Sequence, residues 1–90
     1  MTESLYEIEG QKFHVRLGTN DSDVVRSCRS EYVLPNTDGY EPGSFVIDVG
    51  AHIGAFSIWA TQKYRDCRVI AVEALPENQA MFMKNVKLNN

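Results

Sequence analysis

Two apolar runs that do not alternate restrict this chain most: "FVIDV" from Phe45 and "RVIAVEA" from Arg68. A strand with one wet face alternates apolar and polar residues, whereas a continuous apolar run fits a strand covered on both faces, as in a parallel sheet. Parallel neighbours need a crossover between them. The intervening segment supplies one. From Gly54 to about Tyr64 the pattern is helical, with Ala55, Phe56, Ile58, Trp59 and Ala60 apolar round most of the girth, until "YRDC" breaks it. After the second run, Pro76 suits the first turn of another helix, where its missing N–H costs nothing. Gln79, Phe82, Met83 and Val86 then share one helical face. Trp59, Met81 and Met83 read as core. The order strand, helix, strand, helix is the first half of a doubly wound α/β sheet, with a right-handed crossover as in nearly all such units.

Upstream, Leu5–Ile8 and Lys12–Leu17 alternate around Glu9-Gly10-Gln11, a hairpin signal. Asp21 or Ser22 caps a short helix with Val24, Val25 and Cys28 on one face, which leaves Asp21 and Asp23 as capping and solvated residues. "LPNTDGYEPG" is a loop by composition. It sets a boundary near Gly43 between a lead-in, residues 1–43, and the first half of a binding domain, residues 44–90. His14 falls in the hairpin and receives no role.

Ninety residues allow one domain, and a chain this short buries only about 60% of the surface its unfolded form exposes. Composition excludes several functions. The net charge is -3 and no basic run occurs, so nucleic-acid binding gets no support. No apolar run approaches the roughly 20 residues that span a bilayer, and the polar, acidic N-terminus is no signal peptide. A cytoplasmic protein is expected. Cys28 and Cys67 are far apart and have no metal-type spacing, so they read as reduced, small apolar residues, and no metal site is expected.

The chemistry concentrates where the first apolar run turns into the helix, "DVGAHIGAF". Ligands of open α/β sheets bind just beyond the strand ends. Gly50 lies there, free to adopt positive φ and to let a ligand approach the backbone. The first N–H groups of the following helix lack intrahelical acceptors and favour a carboxylate or phosphate. Spacing then selects among ligands. A dinucleotide fingerprint, GxGxxG, requires glycine where His52 stands, and a P-loop requires GK where Gly54-Ala55 stands. A lone His in such a loop more often makes a local hydrogen bond than acts as a base.

Asp48, Gly50 and Gly54, followed by the acidic Glu73 at the end of the next strand, resemble the arrangement of class I S-adenosylmethionine-dependent methyltransferases. The string "VIDVGAHIGAFSIWA…RVIAVEALPENQAMFMKNVKLNN" is similar to the FkbM-type branch, with its D-x-G-A-x-x-G-x-F-[ST] loop, V-x-A-[VFI]-E-P-x-P and helix ending near N-x-x-L-N. The resemblance covers Phe45 to Asn90, and "LGTNDSDVVRSCRSEYVLP" is similar to the segment that precedes the first strand in that branch. It implies a Rossmann-like fold and S-adenosyl-L-methionine as cofactor. Asp48 and the backbone of Gly50, Ala51 and His52 would hold the methionine end. Gly54 would allow the helix to pack closely on the strand. Glu73 would accept from both ribose hydroxyls, since a carboxylate suits a vicinal diol. Ala74 and Leu75 would lie beside the adenine, and Glu31-Tyr32 is a candidate to close the pocket. His52 departs from a common Asn and Leu75 from a frequent Pro, neither of which disturbs those roles.

The activity implied is O-methylation of a hydroxyl on a sugar, polyketide or related small metabolite, by in-line displacement at a sulfonium. A hydroxyl acceptor calls for a general base, and no residue here is named for it. The implied sheet has seven strands, of which this chain supplies two. It is therefore expected to be the N-terminal fragment of a longer reading frame that carries the cofactor half-site only. An exposed apolar sheet edge would invite self-association. Two other readings stand beside this one: half of a nicotinamide- or flavin-binding oxidoreductase, and a non-catalytic remnant that keeps the fold.

Overall fold

The structure is a computed structural model that describes residues 2–31, 43, 45–64 and 66–90. In chain order these form β1 (Glu3–Ile8), β2 (Gln11–Arg16), α1 (Asp21–Glu31), β3 (Phe45–Val49), α2 (Ala55–Lys63), β4 (Arg68–Val72) and α3 (Pro76–Leu88). β1 and β2 make the expected hairpin, antiparallel from Glu3 opposite Arg16 to Ile8 opposite Gln11. β3 and β4 run parallel, with Phe45 opposite Arg68 and Val49 opposite Val72. The two pairs are separate sheets. Most of "LPNTDGYEPG" and Tyr32 lie outside the described residues, while Glu31 ends α1 exposed.

One core joins the hairpin and α1 to α2, α3 and the loop after β3. Phe13 and Val15 of β2 and Val25 and Cys28 of α1 cluster with Ile53, Ala55, Ile58, Trp59 and Met81. The hairpin and α1 thus share their apolar interior with α2, α3 and the glycine loop. α2 is apolar on most sides because it lies between α1 and the β3–β4 pair. Cys28 and Cys67 are both free thiols, and burial pushes the Cys28 thiol up.

Three sequence expectations need correction. First, among the described residues β3 and β4 are covered on one face only. Phe45, Ile47 and Val49 are 62–78% exposed, and Ile70 and Val72 about half exposed, because α2 packs on the opposite face alone among the described residues. The Arg68 guanidinium lies 5.8 Å from the centre of the Phe45 ring on this bare side. Second, the inward stripe of α3 is Asn78, Met81 and Asn85, spaced as on one helical face. Phe82 and Val86 are half-buried, whereas Gln79 and Met83 are exposed, so Met83 is not core. Two of the three inward residues are polar, which is why an apolar pattern pointed elsewhere. Third, Asp21 is fully buried rather than solvated. Asp23 is exposed beside Arg26, as expected of a solvated residue.

Polar side chains close the outer edge of β2. In an antiparallel pair every second residue turns its N–H and C=O away from its partner, and here these are Lys12, His14 and Arg16. Lys12 N–H donates to Asn89 Oδ1 (3.0 Å) and Lys12 C=O accepts from Asn89 Nδ2 (2.7 Å). His14 N–H donates to Asn85 Oδ1 (2.6 Å), and Arg16 N–H to Asp21 Oδ2 (2.9 Å). Asn85 also donates from Nδ2 to Ile53 C=O (2.9 Å) in the loop after β3, and more weakly to His14 C=O (3.3 Å). The asparagines near the "LNN" ending thus act as a substitute strand.

Candidate functional site

The candidate site lies where β3 and β4 end. Gly50 N–H and Ala51 N–H both donate to Val72 C=O, at 2.8 and 3.0 Å, which folds the loop across the end of β4. Gly50 takes φ +76°, and a Cβ there would meet nothing within 4 Å, so the backbone angle alone calls for glycine. Gly54, at φ +97°, is different: a Cβ would come within 3.1 Å of Ile58 Cδ1 and 3.2 Å of Phe82 Cδ2. The close approach it permits is to Ile58 of α2 and Phe82 of α3.

Glu73 follows β4 and is gathered into this loop. Oε1 accepts from His52 N–H (2.6 Å), and Oε2 accepts from Leu75 N–H (3.0 Å) and from Asn78 Nδ2 (3.4 Å). The two backbone donors, Leu75 first and His52 second, hold the carboxyl below its ordinary range. Gln79 also donates to the Glu73 carbonyl and ties the turn to the first coil of α3. A carboxylate offers about four acceptor positions. Three are occupied here, and the weakest bond is the one from Asn78.

Asp48 is half-buried on the α2 side of β3 and accepts from Ser57 Oγ at 2.6 Å. Ser57 is buried in α2; it stands at the [ST] position of the loop pattern, although its role was not visible in the sequence. A cavity of about 690 Å³ borders this pair, between α2, α3 and β4, and is lined by Ser57, Ile58, Val69, Ala71, Phe82 and Val86 among others. Gly50, His52 and Glu73 do not line it. The cavity is therefore distinct from the strand-end site.

The structure brings Gly50, Ala51, His52 and Glu73 together, with Ala74 and Leu75 exposed beside them. The backbone of Gly50, Ala51 and His52 is expected to meet a ligand, and here the N–H groups of all three are bonded to Val72 and Glu73. Behind the loop is a group that the sequence reading missed. His52 Nε2 lies 3.4 Å from Asp21 Oδ1. Arg16 grips the same carboxylate, Nε to Oδ2 at 2.8 Å and Nη2 to Oδ1 at 3.0 Å. Burial acts to raise the Asp21 carboxyl, but the Arg16 bonds and charge outweigh it and the net shift is downward. Among the described residues no group of His, Cys, Asp and Glu could hold a metal ion, and no helix is long and apolar enough to cross a membrane.

Known proteins offer two partial likenesses. The chain is 34% identical over 47 residues to Methyltransferase 1 of Beauveria bassiana, and 35% identical over 46 residues to Methyltransferase sdnD of Sordaria araneosa. The matches take in 52% and 51% of this chain but only 19% and 18% of those proteins. The chain thus spans less than a fifth of the length of the curated relatives it matches. No protein-family profile and no solved structure matches it. The two likenesses support a methyltransferase family for this chain, and its small α/β architecture is compatible with part of a methyltransferase fold.

Proposed function

We propose that the chain carries the cofactor half-site of an S-adenosylmethionine-dependent methyltransferase of the FkbM type, built on a Rossmann-like sheet. The whole protein would methylate a hydroxyl of a sugar, polyketide or related metabolite. Residues 44–90 would be the first half of its binding domain and residues 1–43 a lead-in sharing the same core. The observation that carries this reading is the Glu73 carboxylate, fixed at the end of β4 and bonded across to the glycine loop by His52 N–H. The methyltransferase relatives, matched over about half of this chain, add to it.

The residues fit the cofactor with one adjustment. Glu73 keeps one of its roughly four acceptor positions for a ribose hydroxyl. A second hydroxyl would take the place of the long bond from Asn78. Above Gly50 there is open space where any other residue would carry a Cβ. With the loop N–H groups already bonded, Asp48 and the loop carbonyls are left to meet the ammonium of the methionine end, and Ala74 and Leu75 to flank the adenine. When bound, S-adenosylmethionine supplies a methyl group activated on a sulfonium. What this chain contributes is orientation, which for in-line transfer is a large share of catalysis.

Calorimetric titration with S-adenosylhomocysteine tests the reading, with NAD as control. Saturable binding that Glu73→Gln weakens about tenfold or more is expected, since hydrogen bonds to a charged group contribute about 1.5–3 kcal/mol. Preference for NAD would replace this reading with the oxidoreductase one. Binding without turnover by the whole protein would favour a non-catalytic remnant.

A further inference from the structure

His52 has φ +58°, in the left-handed region that glycine favours, yet it is the residue whose N–H meets Glu73. Something must hold a histidine there, and its side chain shows what. The imidazole reaches across to α1 and sets Nε2 3.4 Å from Asp21 Oδ1. Asp21 is 0% exposed and cannot drift, because Arg16 of β2 holds it through its backbone N–H, Nε and Nη2. We propose that Asp21 is a positioning residue for the cofactor loop. Through the His52 imidazole it fixes the left-handed turn that aims His52 N–H at Glu73, and so sets where that carboxylate stands. The link runs β2, α1, loop, β4, and ties the lead-in to the strand-end site. It rests on the cofactor reading only for the ligand that the loop would serve.

The contact, an ion-pair approach rather than a formed hydrogen bond, also favours one tautomer. A carboxylate only accepts, so in the neutral ring the proton is drawn to Nε2. Nδ1 is then the bare nitrogen; it is buried and has no partner among the described residues. In Asp21→Asn the amide oxygen keeps the Arg16 backbone N–H and Nε donors, and the NH2 group takes the Oδ1 place beside His52, giving up the Arg16 Nη2 bond. The ring must then accept at Nε2 and protonate at Nδ1.

The test is nitrogen-15 NMR of the imidazole in alkaline buffer, on the wild-type chain and on Asp21→Asn. The expected result is an Nε2–H ring in the wild type and an Nδ1–H ring in the variant. An Nδ1–H ring in the wild type, or the same pattern in both, overturns the proposal. The wild-type spectrum decides even if the variant does not fold.

A double-mutant cycle then separates positioning from general damage. Asp21→Asn should weaken S-adenosylhomocysteine binding about tenfold when His52 is present, and hardly at all in the His52→Ala background, since coupled residues are non-additive. Equal losses in both backgrounds would make Asp21 merely structural and overturn the proposal. If the wild-type chain binds no S-adenosylhomocysteine, the cofactor reading fails, and the tautomer spectra still decide the Asp21–His52 link.

Discussion

The outer edge of β2 and the outer face of β3–β4 face the same problem and meet it differently. An unpaired strand edge exposes N–H and C=O groups to any passing strand. β2 closes that edge from within the chain, with Asn89, Asn85 and Asp21 at successive outward residues. The β3–β4 pair presents Phe45, Ile47, Val49, Ile70 and Val72 on one face, and no described residue covers them. Polar gaps on a backbone can be filled by single side chains. An apolar face needs another layer, and contiguous exposed patches of this kind mark surfaces that associate.

The largest expected effect comes from the closed side. Asp21→Ala leaves Arg16 without its buried partner and should lower stability by about 3–5 kcal/mol in urea unfolding. Acid gives the same answer without mutation. The Asp21 carboxyl is depressed in the folded state. Its contribution is therefore present above the unfolded value of about 3.9 and is lost as pH falls below it toward the folded value. Unfolding midpoints that stay level through this range would break the claim that the pair is locked.

Next is the pair of asparagines. Asn85→Ala strips the buried Ile53 carbonyl and the His14 N–H of partners, and about 2 kcal/mol of destabilisation is expected. Asn89→Ala, at the more exposed end, should lose about 0.5–1 kcal/mol. Equal effects from the two would mean that edge closure alone matters and the Ile53 bond adds nothing.

The smallest change in stability belongs to the open side. Ile47→Lys, on a face that no described residue covers, should shift stability by no more than about 0.5 kcal/mol. It should nonetheless abolish the concentration-dependent mass increase expected of the wild-type chain in sedimentation equilibrium. A wild type that stays monomeric throughout would show that the face remains in water, and would remove the contrast between the two sides.

Much of this was legible in the residues. The parallel pair follows from "FVIDV" and "RVIAV", the crossover from the apolar girth of α2, and the loop from Gly50 and Gly54. Each is a local pattern, set by neighbours within a few positions. What the sequence concealed depends on partners brought together by folding. Asp21 reads as a helix cap until Arg16 comes back to meet it across the Thr19 turn. Asn85 stands in the sequence only as the first residue of the N-x-x-L-N ending, and nothing there shows that β2 takes it as a neighbour. The apolar runs implied cover on both faces because a run of Val and Ile reads the same whether or not the covering layer is present.

Asn85 has one more consequence, for motion. A single amide group bonds the hairpin at His14 and the glycine loop at Ile53, from a helix whose first turn holds Glu73 through Leu75 and Asn78. The loop cannot loosen without releasing that amide, and the amide cannot leave without uncovering β2. In hydrogen exchange the His14 and His52 amides should therefore open as one cooperative unit, close to the free energy of global unfolding. A strand-end site of this kind opens with the whole fold, and local fraying would leave it shut.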